Sequence, residues 1–221
     1  MLPGFEGTRL IDLTLPLVPG MRGVASEVAC TIPSHGWNAT HWTLYSHAGT
    51  HMDAPVHYEA SEQTLDQIPL TDCMGRAQVV DLSDVAPRTC LVPEQLGKLH
   101  EHWQDGEILL LRTDWYKRLG TPEYRDALPR ISVRLAHWCV AHRVKLIGVE
   151  PPAVADPNNR EEITEVHRIL LEAGIVIVEG LAHLDQLTQP KVFFVAAPIK
   201  LAGSDGAPCR AFAFEKVSEA A

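Results

Sequence analysis

Four runs, Ile108 to Leu111, Leu146 to Val149, Ile175 to Val178 and Val192 to Ala197, are continuously apolar yet too short for helices. They lack the polar alternation of a half-exposed strand and read as buried strands. Arg9 to Leu15 and Ala77 to Leu82 read as two more. Longer segments of helical period lie between them: Pro93 to Gln104, Val133 to His142 behind Ser132 as N-cap, and Glu161 to Ala173. In the last of these, Ile163, Val166, Leu170 and Ala173 share one face, acidic residues crowd the first turn and Gly174 supplies a left-handed stop. This alternation predicts an α/β domain with a mixed sheet. Proline and glycine cluster near residues 16 to 23, 151 to 157 and 198 to 208, with core-type segments on both sides, so they read as loops and residues 1 to 221 as a single domain. Asp205-Gly206 reads as the turn of a hairpin.

With 221 residues, 46% of them hydrophobic, the chain can bury a core without staples. Its formal charge is −9 and it has no run of consecutive basic residues, which excludes the electrostatic footprint of a nucleic-acid or anionic-membrane binder and favours a small-molecule partner. The first twenty residues lack the basic start and apolar core of a signal peptide, and no stretch reaches the roughly 20 apolar residues of a membrane span, so a cytoplasmic location is expected. Five scattered cysteines form no CxxC pair and read as reduced core residues. The chain has no GxSxG, no phosphate loop and no GxGxxG, which leaves serine hydrolases and nucleotide cofactors without support.

The chemistry is concentrated in His47-Ala-Gly-Thr-His51-Met-Asp53-Ala-Pro-Val-His57. Gly49 and Pro55 oppose a helix and Ala54 precedes a proline, so an extended path is expected. Every gap between positions 47, 51, 53 and 57 is even, and on such a path the four side chains turn to one side. Three imidazoles and a carboxylate are the donor set of zinc, manganese or iron. His167 sits on the apolar side of its helix, where a metal would be a partner for a buried imidazole; a hydrogen bond to a backbone carbonyl would be another. Glu179 closes the run Ile175 to Val178, at the carboxyl end where ligands gather in open α/β sheets. Glu150 occupies the analogous end of another strand and is a candidate to support the site or face the substrate.

These residues resemble the metal-dependent cyclase family that includes kynurenine formamidases and isatin hydrolases. The HAGTHMDAPVH segment, followed by His167 and Glu179, carries the resemblance, which extends from Ile11-Asp12-Leu13 to the glycine-rich segment near 203 to 206. It implies a swivelling β/β/α fold, a homodimer or larger homo-oligomer, and metal-dependent hydrolysis of a C–N bond in a small amide, N-formyl arylamine or cyclic amide. It further implies that His47, His51 and Asp53 hold one ion, that Asp53 and Glu179 bridge to a second held by His167, and that His57 is the acid/base. A single zinc or manganese ion is the alternative within the family, and a non-catalytic metal-binding or sensing module the alternative outside it. The tryptophan that kynurenine formamidases carry before Pro-Gly in the amino-terminal loop is Val18 here, which leaves Trp37 or Trp42 to contact the substrate.

Overall fold

The computed structural model describes residues 7–217. Its strands are β1 (Thr8–Asp12), β2 (Val24–Cys30), β3 (Ala39–Leu44), β4 (His51–Asp53), β5 (Met74–Asp81), β6 (Cys90–Leu91), β7 (Ile108–Arg112), β8 (Arg130–Ile131), β9 (Leu146–Val149), β10 (Val176–Glu179), β11 (Lys191–Pro198) and β12 (Gly206–Lys216). The helices are α1 (Ile32–His35), α2 (Glu123–Asp126), α3 (Val133–Ala141) and α4 (Arg160–Glu172).

The apolar runs form the centre of the sheet. β5, β7, β9 and β10 lie side by side and parallel, while β4, β12 and β11 continue the sheet antiparallel and return to β5. Seven strands therefore close into a barrel, because β12 pairs with β11 on one edge and with β4 through Gly206 to Pro208 on the other. Farther along, that second edge of β12 is taken by β1. Closure removes the edges that an open sheet would leave unpaired.

Alternate residues serve two cores. Met52, Leu110, Val178, Phe194 and Ala211 point into the barrel. Leu109, Leu111, Ile147 and Ile177 point outward, where Leu135 and Cys139 of α3 and Val166 and Leu170 of α4 cover them. This two-sided burial is why the strands read as unbroken apolar runs. α3 starts where the sequence predicts, with Ser132 Oγ accepting from Leu135 N at 3.0 Å, and α4 starts one residue before the expected Glu161, behind Asn159, whose Oδ1 accepts from Glu162 N at 3.2 Å.

Three expectations are corrected. Pro93 to Gln104 is not one helix but two single 3₁₀ turns, Pro93–Leu96 and Leu99–Glu101, because Gly97 takes φ 59° and ends the first turn while Leu96 and Leu99 still reach the outer core. Asp205-Gly206 is not the hairpin turn. The β11–β12 loop spans 199 to 205, and Gly206 is already extended opposite Asp53. The first strand ends at Asp12 rather than Leu15; beyond it the chain turns inward, and Thr14 bridges to Leu181.

Gly148 of β9 tests the packing inside the barrel. A Cβ at this position would lie 2.6 Å from Leu110 Cδ2 and 2.7 Å from Leu181 Cδ1. Gly148→Ala is expected to destabilise the fold by about 1–3 kcal/mol through overpacking, measured as a lower denaturation midpoint with unchanged m-value.

Candidate metal centre

The centre lies in the outer layer, between the sheet and α4. On β4, Met52 points into the barrel and sends His51 and Asp53 to the opposite face, where Glu179 of β10 stands directly across from His51. Gly180 then takes φ 66° and passes so close to Gly49 that a Cβ would lie 2.4 Å from its carbonyl oxygen. Thr50 ties this crossing together by donating to Gly180 O at 2.5 Å and accepting from Leu15 N at 2.8 Å. From above, α4 lowers His167 onto the same spot.

The even spacing of the motif operates only over His51 and Asp53. His47 lies in the turn before β4, and His57 belongs to the 3₁₀ turn Pro55–Tyr58 that Pro55 starts. Turns, not strand alternation, bring these two rings in. They stack with centroids 3.9 Å apart. His47 also packs against Gly206, where a Cβ would lie 2.8 Å from its Cε1, so β12 must offer glycine at that point.

Two of the imidazoles have their tautomer set by the backbone. His51 Nδ1 donates to Gly49 O at 2.9 Å and His167 Nδ1 donates to Ile163 O at 2.7 Å. In the neutral ring each Nε2 is then left as an acceptor, the arrangement typical of metal-ligating histidines. His51 Nε2 lies 3.2 Å from Glu179 Oε2, and His167 Nε2 lies 3.3 Å from Glu179 Oε1 and 3.6 Å from Asp53 Oδ2. His47 Nδ1 bonds Asp53 Oδ1 at 2.8 Å and its Nε2 bonds Asp205 Oδ2 at 3.1 Å. Glu179 Oε1 also accepts from Val154 N at 2.7 Å.

These groups fit a divalent cation. Asp53 is 1% exposed and Glu179 4%, yet Asp53 Oδ2 and His51 Nε2 have no hydrogen-bond partner. Buried carboxylates and an orphaned imidazole nitrogen facing one another are costly unless a shared positive charge satisfies them. Donor atoms of His47, His51 and Asp53 converge within 4.8 Å of one another, as do those of Asp53, His167 and Glu179, so that Asp53 belongs to both sets. Imidazole and carboxylate together are the donors of zinc and manganese.

Without the cation, protons take over its electrostatic role. Burial disfavours the charged imidazoles, but Asp53 and Asp205 outweigh it at His47, raising it to about 9. At His167, Asp53 and Glu179 likewise overcome burial and raise it to about 10. The same contacts overcome burial to hold Asp53 and Glu179 below the usual carboxylate range. Burial lowers His57, which keeps its base form available at neutral pH.

Beside the cluster opens a cavity of about 480 Å³, walled by Leu15, Met21, Leu119, Tyr124 and Pro152 and reaching His47 and His51. An inner compartment of about 150 Å³ continues past His57 to His167 and Glu179. Arg22 and Arg125 line both. The sequence does not single out these arginines or Asp205, since nothing separates them from ordinary surface charges until the loops fold. Val18, Trp37 and Trp42, read as substrate contacts, line neither compartment and are about half or more exposed. His35 and His41, with the two tryptophans, lie in the β2–α1–β3 segment away from the cluster. Glu150 is fully buried outside it; its Oε2 accepts from Thr113 N at 2.8 Å and Trp115 N at 3.1 Å, and burial pushes it up to about 7.

Buried histidines and carboxylates beside an open cavity define a candidate metal centre accessible to a small molecule. The chain belongs to the Cyclase family, whose model matches residues 11–156. It is 34% identical over 168 residues to a kynurenine formamidase of Salinibacter ruber, covering 76% of each chain. To a kynurenine formamidase of Bacillus cytotoxicus it is 30% identical over 216 residues, covering 93% of this chain and 97% of the relative. The fold is shared with isatin hydrolase A from Labrenzia aggregata, with a TM-score of 0.86, 24% identity and coverage of 95% and 94%.

The raised imidazoles set a pH test. In the metal-free protein, the stabilisation from protonated His47 and His167 is fully present below the ordinary imidazole value near 6.5 and is lost as pH rises through about 9 and 10. After chelation, Tm is expected to fall between pH 6.5 and pH 10. Loading zinc or manganese should restore it increasingly toward alkaline pH, because the ligands must be deprotonated to bind; differential scanning fluorimetry across this range checks both trends.

Proposed function

We propose that the protein is a metal-dependent amide hydrolase that cleaves the C–N bond of a small N-formyl arylamine or related amide. The observation that carries this reading is the pair of donor sets sharing Asp53 beside an apolar cavity, with His57 lining the adjoining compartment. His47, His51 and Asp53 would hold one zinc or manganese ion, and Asp53, His167 and Glu179 a second. Bound there, a divalent ion supplies Lewis acidity, lowering the pKa of water from 15.7 toward about 7 and polarising an amide carbonyl.

His57 carries the proton. Its ring lines the inner compartment, stacked on His47 and with Nδ1 3.5 Å from Asp205 Oδ2, so it is held beside the ligands without belonging to either set that includes Asp53. It accepts the proton of the attacking water as oxygen adds to the amide carbon. It then returns that proton to the departing nitrogen as the C–N bond breaks. The apolar walls bury the ring of an aryl amide and exclude bulk water around the reacting carbon.

The kynurenine formamidases among the relatives support a linear N-formyl substrate, with N-formylkynurenine as the first compound to test. Ring opening of a cyclic amide such as isatin uses the same bond cleavage and is the second reading, supported by the shared fold. A purely structural metal site is disfavoured by the open cavity, since structural sites are closed by protein ligands. No described helix is long and apolar enough to cross a membrane.

The working unit proposed is a homodimer or higher homo-oligomer. β2 and β3 form a separate two-stranded ribbon on which Val28, Trp42 and the adjoining Ile32 and Trp37 are strongly exposed. A lone ribbon with an apolar face is marginal in water, and a second copy would cover it.

Two experiments test these readings. His57→Ala should retain its metal by elemental analysis while kcat on N-formylkynurenine drops by about 10²- to 10⁴-fold; His51→Ala should lose metal and activity together. Undiminished turnover in a metal-replete His57→Ala protein would remove the assigned role. For assembly, Trp42→Lys should shift the sedimenting species toward the monomer.

A further inference from the structure

Two cations line the cavity without a close ion pair. Arg22 lies in the loop before β2, and Arg125 lies on α2; both line the outer cavity and the inner compartment. Several other arginines sit in ion pairs, as Arg112 does with Asp81 and Asp114 and Arg130 with Glu162. Among the described residues, neither Arg22 nor Arg125 has an ion-pair partner; Arg22 rests 5.9 Å over the Tyr45 ring. Glu179 is the one carboxylate among the described residues lining either compartment, and it is engaged by His51, His167 and the Val154 amide.

Placing like charges together is unusual in a chain of net charge −9. Burial and repulsion from the neighbouring Arg22 press the Arg125 guanidinium below its ordinary value, against the opposing pull of Asp126, Tyr45 and Glu179. An anion entering between them relieves this repulsion, and a guanidinium fork matches a carboxylate geometrically. The outer cavity has apolar walls that include Leu15, Met21, Leu119 and Pro152, and the smaller compartment brings both arginines alongside His57, His167 and Glu179. Such a layout accommodates an aromatic or aliphatic spacer with an amide at one end and an anion at the other.

We propose that the natural substrate is an amide that also bears a carboxylate, which Arg22 and Arg125 bind while the amide carbon is presented to the metal ligands and His57. This deepens the amide-hydrolase reading and rests on it. It also separates the two substrate classes that reading admits: a formylated aryl acid carries the anion, whereas neutral isatin does not.

The test uses metal-loaded full-length protein with formanilide and its three ring carboxylates, the formamidobenzoates. The best carboxylate is expected to exceed formanilide in kcat/KM by at least tenfold, mostly through KM, and Arg125→Ala and Arg22→Ala should each cut that ratio several-fold, toward one. Arg125→Lys should recover part of the ratio, because it returns the charge without the fork. Wild-type protein cleaving formanilide as efficiently as the acids, or a ratio that survives Arg22→Ala/Arg125→Ala, overturns the anion site and leaves amide hydrolysis standing. Benzoate titrated calorimetrically provides the separate reading. If no amide is cleaved but the double variant weakens benzoate tenfold or more, hydrolysis fails and the anion site stands; equal benzoate affinity in both proteins overturns the site.

Discussion

Two carboxylates buried side by side, Asp53 and Glu179, are the constraint around which the rest of the molecule is arranged. A buried negative pair is unfavourable on its own, and each element that touches it brings positive charge or a donor. β4 supplies His51, the preceding turn His47, α4 His167, and the loop after β9 the Val154 amide. Protonated imidazoles can balance the pair, but only by sacrificing the nitrogen lone pairs that the backbone bonds to Gly49 and Ile163 direct inward. Divalent metal bound among these donors would satisfy the inward-facing lone pairs and carboxylates, coupling metal binding to local folding.

The barrel supplies the rigidity such a centre requires. β4 has only three residues and could not hold a register alone. It is gripped on one edge by β10 and on the other by the first three residues of β12, and these pairings place His51 against Glu179 and Asp53 against Gly206. The glycines at the crossing follow from this closeness, because Gly206 and Gly180 stand where backbone and ligand rings leave no space for a side chain. Function and closure of the fold therefore depend on the same strands. The cavity is built differently, from loops and the short helix α2, and these are the parts on which substrate preference can change while the metal ligands stay put.

Much of the scaffold is legible in the sequence because its signals are local. Apolar runs too short for helices become the central strands, the N-cap Ser132 opens α3, and the acidic first turn and apolar face mark α4. The helical spacing of Leu96, Leu99 and Trp103 misleads, since two turns interrupted at Gly97 bury the leucines equally well. The HAGTHMDAPVH segment announces its chemistry through residue types alone. Its geometry is another matter, because the even spacing has force only across β4 while turns deliver His47 and His57.

By itself, the sequence determined the α/β class, the buried apolar strands, the two main helices and the donor types of the centre, all of which follow from periodicity and side-chain chemistry within short windows. The tertiary structure alone decided that β12 closes the barrel, that Asp205 reaches His47 and His57 from a loop some 150 residues away, and that Arg22 and Arg125 line the same cavity. These features depend on contacts between segments distant in the chain, and no local preference of Asp205, Arg22 or Arg125 distinguishes a charge bound for a site from one bound for solvent.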